Sequence, residues 1–123
     1  MMDEKTIHTG IIKLDFEHQQ ILSALERLQE PSLPKSHRIL ICEKLLFYVN
    51  EHVLDEEREM DLQEYPGKEE HIASHADMQR AFLKDLASFI KLDKTSTTAI
   101  YTLFTEHISE YDIPMAKFLR GRK

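Results

Sequence analysis

Four short stretches carry imidazoles and carboxylates at spacings that suit metal coordination. In 52-HVLDEE-57, His52 and Glu56 are four residues apart, and so are His71 and His75 in 71-HIASH-75. On a helix such pairs stand one turn apart on one face, as two ligands of one metal site must. His18 in 14-LDFEH-18 adds another imidazole, and 107-HISEYD-112 offers His107 and Asp112. The last pair is five residues apart, and five residues of α-helix rotate about 500°, leaving roughly 140° between the two side chains. Pro114 stands two residues on and removes the backbone hydrogen bond to the carbonyl of Glu110. A π-type bulge or loosened turn between His107 and Asp112 is therefore expected to bring both side chains inward.

Each group lies in an apolar stripe of helical period. The first stripe holds Leu14, Ile21, Leu22, Leu25 and Leu28, with Asp15 as its expected cap, and ends near Glu30, where Pro31 and Pro34 bracket a loop. The second holds Ile41, Cys42, Leu45, Val49, His52, Val53, Glu56 and Met60, and Tyr65-Pro66-Gly67 breaks the chain after it. The third holds His71, Ile72, His75, Met78, Phe82, Leu86 and Phe89. A break at 92–96 follows, with Thr95 or Ser96 as cap, and the fourth stripe holds Ile100, Leu103, Phe104, His107, Ile108 and Tyr111. These boundaries predict an arm over about 1–13 and helices over about 15–30, 36–63, 68–91 and 96–112, the last extending to about 119, all within one domain of 123 residues. Short connections force consecutive helices to run antiparallel, so the expected fold is all-α: an up-down-up-down antiparallel four-helix bundle with an N-terminal arm.

In such a bundle, residues on neighbouring helices share a level when their numbers average to the loop between them. His18 and His52 average to 35, His52 and His75 to 63.5, and His75 and His107 to 91, each at or beside a predicted break. Four imidazoles from four helices thus fall near one depth, with His71, Glu56 and Asp112 beside them. A single histidine on an apolar stripe is ordinarily a hydrogen-bonded core residue. Five with two carboxylates form a buried polar cluster that costs several kcal/mol if left unpaired. Metal ions remove that cost. The donor set exceeds a tetrahedral zinc site and suits two ions with each carboxylate bridging. Imidazole favours iron, copper, zinc or nickel over magnesium or calcium. His8 in the arm and His37 at the start of the second helix fall outside the layer and are expected at the surface. Glu17, Glu51, Glu70 and Glu106 each precede a stripe histidine, turned about 100° away, and are read as solvated or as outer partners of the imidazoles.

The bulk composition narrows the function classes. With 22 acidic and 16 basic residues the formal net charge is −6, which argues against nucleic acid as a partner. The basic residues Lys117, Arg120, Arg122 and Lys123 read as a helix end complementing its dipole. No stretch reads as a signal peptide or a membrane span, so a cytoplasmic protein with no membrane partner is expected. Cys42 is the sole cysteine, expected as a small buried hydrophobe.

Taken in order, 14-LDFEH-18, 52-HVLDEE-57, 71-HIASH-75 and 107-HISEYD-112 resemble the hemerythrins, in particular the bacterial single-domain forms. The likeness spans nearly the whole chain beyond the arm. It implies a non-haem di-iron centre that binds O₂ reversibly. By position, His71, His75 and His107 would bind one iron and His18 and His52 the other. Glu56 and Asp112 would bridge the pair together with an oxo or hydroxo group, leaving one vacant position for O₂ on the second iron. An apolar wall is expected around it, with Ile21, Leu22, Val49, Met78, Leu103 and Phe104 as candidates. The chain departs from the family in lacking Trp, in placing Phe104 where Leu is common, and in placing Met78 where Phe is common. These departures touch the pocket and leave the ligand positions intact.

The resulting expectation is a monomeric, non-enzymatic O₂ carrier, store or sensor. An enzyme acting on peroxide, nitric oxide or ferrous iron is the alternative, as is a sensing module working through a separate protein.

Overall fold

The computed structural model describes residues 8–90 and 94–121, without the side chains of 86–97. The side chains of the expected core residues Leu86 and Phe89 therefore lie outside the described part, as does most of the expected arm. The expected caps Thr95 and Ser96 fall inside a helix that already begins at Lys94, so neither is its N-cap. The described chain is all helical and contains no strand. Helix α1 spans Ile12–Arg27, α2 Lys35–Leu62, α3 Lys68–Ile90 and α4 Lys94–His107. A π-helical turn, Ile108–Asp112, joins α4 to α5, Ile113–Gly121. Both His107 and Ile113 keep right-handed helical backbone angles, so α4, the π turn and α5 form one rod. None of the described helices is long and apolar enough to cross a membrane.

The helices pack as a ring in which α2 lies against α1 and α3, and α4 against α3 and α1. Their inward stripes build two apolar clusters. The larger includes Ile21, Leu25, Leu45, Val49, Met78, Phe82, Phe104 and Ile108, and the smaller centres on Leu14, Met60 and Met115. Along every rod the imidazoles and carboxylates fall between residues of the two clusters or at their border, so a polar layer separates them. Burying this much apolar surface stabilises the bundle by roughly 25 cal/mol per Å², and that tolerates one expensive polar layer.

The first helix begins earlier than its sequence suggests. Asp15 is not the N-cap; Ile11 holds that position without a side-chain cap bond. The Asp15 carboxylate instead reaches back from the first turn, accepting from the backbone N–H and hydroxyl of Thr9 at 2.8 and 2.7 Å. Gly10, at φ 83°, makes the turn that permits this. Arg120 crosses the same turn and donates to the Thr9 carbonyl, tying α5 to the start of α1.

Candidate metal centre

The helices bring all seven predicted donors together. His18, His52, Glu56, His71, His75, His107 and Asp112 are each between 0% and 3% exposed, although charged and polar side chains are rarely so deep without partners. Their ligand atoms form two overlapping groups: Glu56, His71, His75, His107 and Asp112, and His18, His52, Glu56 and Asp112. The two carboxylates belong to both.

Each carboxylate divides its oxygens between the two sets of imidazoles. Glu56 Oε1 lies 2.9 Å from His75 Nε2 and 3.1 Å from His71 Nε2, while Oε2 lies 3.0 Å from His52 Nε2 and 3.9 Å from His18 Nε2. Asp112 Oδ1 lies 2.8 Å from His71 Nε2 and 3.0 Å from His107 Nε2, and Oδ2 lies 2.9 Å from His18 Nε2 and 3.8 Å from His52 Nε2. All five imidazoles therefore present Nε2 to the cluster.

Asp112 reaches the layer through the π turn. The Ile113 N–H bonds to the Ile108 carbonyl, five residues back, so an extra residue fits into the turn and the i,i+5 pair comes to one face. Pro114 has no N–H to restore the ordinary ladder, and Asp112 ends at 0% exposure.

Outer partners fix three of the imidazoles. His52 Nδ1 lies 2.7 Å from Glu17 Oε1, His75 Nδ1 lies 2.9 Å from Glu57 Oε2, and His107 Nδ1 lies 2.6 Å from Ser74 Oγ. A proton on Nδ1 that is donated outward leaves the Nε2 lone pair facing the cluster, the tautomer that metal coordination requires. Of the four glutamates preceding stripe histidines, Glu17 takes this part, whereas Glu51, Glu70 and Glu106 are exposed. Sequence spacing missed Glu57 and Ser74. Matching levels across helices could have found them, since both stand beside histidines of the neighbouring rod.

The donor set fits metal ions better than it fits itself. Glu56 Oε2, both oxygens of Asp112 and His107 Nε2 have no hydrogen-bond partner, although imidazole or carboxylate atoms lie within about 3 Å. His18 Nε2 and His52 Nε2 stand 3.1 Å apart. Atoms that are close but poorly aligned for hydrogen bonds are converging on shared points between them.

The electrostatics agree. Burial and the Asp112 charge push the Glu56 carboxyl up, but the attraction of His52 and its contacts with His52 and His71 outweigh them and hold it well below the usual range. Burial likewise opposes ionisation of Asp112, and the close imidazoles of His107, His18, His52 and His71 overcome it. Burial disfavours charge on His71, yet Asp112 and Glu56 push its pKa up to about 9. His52 is raised in the same way, against burial, by Glu56, Asp112 and Glu17. Two ionised carboxylates at full burial demand compensating positive charge, which metal ions supply more compactly than protons.

The remaining expectations divide. Ile21, Leu22, Val49, Met78 and Phe104 are buried beside the layer, and the Phe104 ring stands 5.8 Å from that of His18. Leu103 does not line the interior; at 36% exposure it sits on the outer edge of the stripe that Ile100, Phe104 and Ile108 centre. One residue of helix rotates about 100°, enough to separate it from Phe104. His37 is exposed, and His8 pairs at the surface with Asp15 at 3.0 Å. Cys42 is buried in the larger apolar cluster.

Comparison of the chain with protein-family models, characterised proteins and solved structures finds no match.

Proposed function

We propose that this chain is a dioxygen-binding protein of the hemerythrin type, holding two iron ions in the buried layer. The observation that carries the reading is the division of donors. His71, His75 and His107 gather about Glu56 Oε1 and Asp112 Oδ1, and only His18 and His52 gather about Glu56 Oε2 and Asp112 Oδ2. That unequal split leaves one side a donor short, as binding a single small guest requires. A pair of ferrous ions held there supplies the electrons on which reversible O₂ binding draws.

The chain's own residues do the rest. Neutral imidazoles bring less negative charge than carboxylates, which disfavours high-valent iron and favours binding over O–O cleavage. The carboxylates of Glu17 and Glu57, which accept, hold His52 and His75 in the ligand tautomer, and Ser74 orients the His107 ring. Ile21, Leu22, Val49 and Phe104, all buried, exclude water from the side of His18 and His52.

We place the helices in up-down-up-down order. In support, residues that meet across α1 and α2 have nearly constant number sums, as in Lys13 with Asp55 and Glu17 with His52. So do Asn50 with Gln79 and Glu57 with His75 across α2 and α3. A constant sum is what antiparallel neighbours produce.

The test is spectroscopic. The di-ferrous protein is prepared without oxygen, air is admitted, and oxygen is then removed. A visible charge-transfer band that appears and then vanishes supports a carrier. An irreversible ferric product, or turnover with peroxide or nitric oxide, transfers the site to the enzymes.

A further inference from the structure

A cavity of about 250 Å³ opens at the corner where α1, α2 and α5 meet, and Glu56 forms part of its wall. Two further surface hollows, beside Phe16 and beside Gln29, touch no member of the cluster. Three carboxylates of α2 line this cavity at graded depth. Glu59 is exposed, the Asp55 side chain is 20% exposed, and Glu56 is fully buried. The opposite wall is apolar, from Ile11, Leu14, Met115 and Leu119. Glu56, the most deeply buried of the three, also belongs to the cluster, and its Oε2 has no hydrogen-bond partner.

We propose that divalent metal ions reach the centre through this cavity, passing from Glu59 to Asp55 and then to Glu56. A hydrated cation sheds water most easily where each carboxylate can replace part of its shell before the next takes over. Oxygen donors suit that task for any of the divalent ions in question. The low-dielectric apolar wall concentrates the field of the acids along the path. Between passages Asp55 is held by Lys13 at 3.3 Å and Arg58 at 3.7 Å. Both cationic side chains are 67% exposed, so they can leave for solvent when a metal ion displaces them. The route rests on the cluster being a metal centre and is independent of its dioxygen chemistry.

The test measures Co²⁺ uptake by the metal-free protein, with the rate followed by stopped-flow absorbance and the final stoichiometry by metal analysis. Glu59→Gln and Asp55→Asn are each expected to slow uptake on the order of 3- to 10-fold with the final stoichiometry unchanged. Leu119→Trp, which fills the cavity from a half-buried position, should slow both uptake and removal by chelator. Glu51→Gln changes the net charge equally from an exposed position off the cavity and should leave the rate alone. Parent-like rates in the first three variants, or equal slowing by Glu51→Gln, overturn the route while leaving the centre intact. Failure of the parent protein to take up Co²⁺ at all removes the centre and the route together.

Discussion

His52 and Glu17 meet across the α1–α2 interface, with 2.7 Å between Nδ1 and the Glu17 carboxylate. His75 and Glu57 repeat the arrangement across α2 and α3 at 2.9 Å. Such outer carboxylates orient a ligating ring and raise its basicity. Glu17→Gln and Glu57→Gln should each weaken metal binding about 10- to 100-fold, measured by competition with a chelator of known affinity. Unchanged affinity in both would mean that these contacts do not tune the centre.

Loss of a donor should be more severe than loss of its outer partner. His75→Ala is expected to lower the iron content of purified protein, whereas His37→Ala, altering an exposed ring, should match the parent. Equal iron in the two variants would refute the assignment of the layer.

The metal-free protein should be sensitive to alkali and the metal-loaded protein insensitive to it. The pKa of His71 is pushed up to about 9 from 6.5, and His52 is raised in the same direction. In the metal-free protein these groups stabilise the fold fully below about pH 6.5, and that contribution fades as pH rises through about 9. Glu56 and Asp112 are depressed, so their contribution is present at neutral pH and is lost on acidification. Thermal melts of the metal-free protein should therefore fall between pH 6.5 and 9.5. Metal replaces the protons, so the loaded protein should hold its melting temperature over that interval. Parallel pH profiles would contradict this linkage.

Adjacent residues of the fourth rod should differ sharply in cost. Phe104→Ala empties a fully buried position packed near His18 and should destabilise the protein by about 3–5 kcal/mol. Leu103→Ala, at the exposed edge, should cost less than about 1 kcal/mol. Urea titrations of both variants measure the contrast, and comparable losses would mean that the rotation of this rod has been misassigned.

Cys42 should be chemically silent in the native state. Burial pushes its thiol up to about 11 and leaves it 2% exposed. Since the thiolate is the reactive form, alkylation at pH 8 should follow unfolding, with mass spectrometry showing slow native and rapid denatured labelling. Rapid native labelling would show that the core opens locally around α2.

What could be read in the sequence was whatever depends on the regularity of single rods. The i,i+4 pairs His52–Glu56 and His71–His75 share a face wherever the helix goes, because helical geometry is local. The irregular turn before Pro114 was legible for the same reason: proline removes a specific bond, and the i,i+5 spacing of His107 and Asp112 needed an extra residue in the turn. Levels could be compared across rods because each residue advances the same distance. Rotation of each rod about its own axis could not be read, since packing against neighbours sets it. That rotation turned Leu103 outward, drew Glu17 in while leaving Glu51, Glu70 and Glu106 in solvent, and brought Glu57 and Ser74 against rings of the next helix. The assignment of each carboxylate oxygen to one set of imidazoles, and the cavity that reaches Glu56, likewise exist only once all the rods have packed, because each is a relation among side chains from three or more helices.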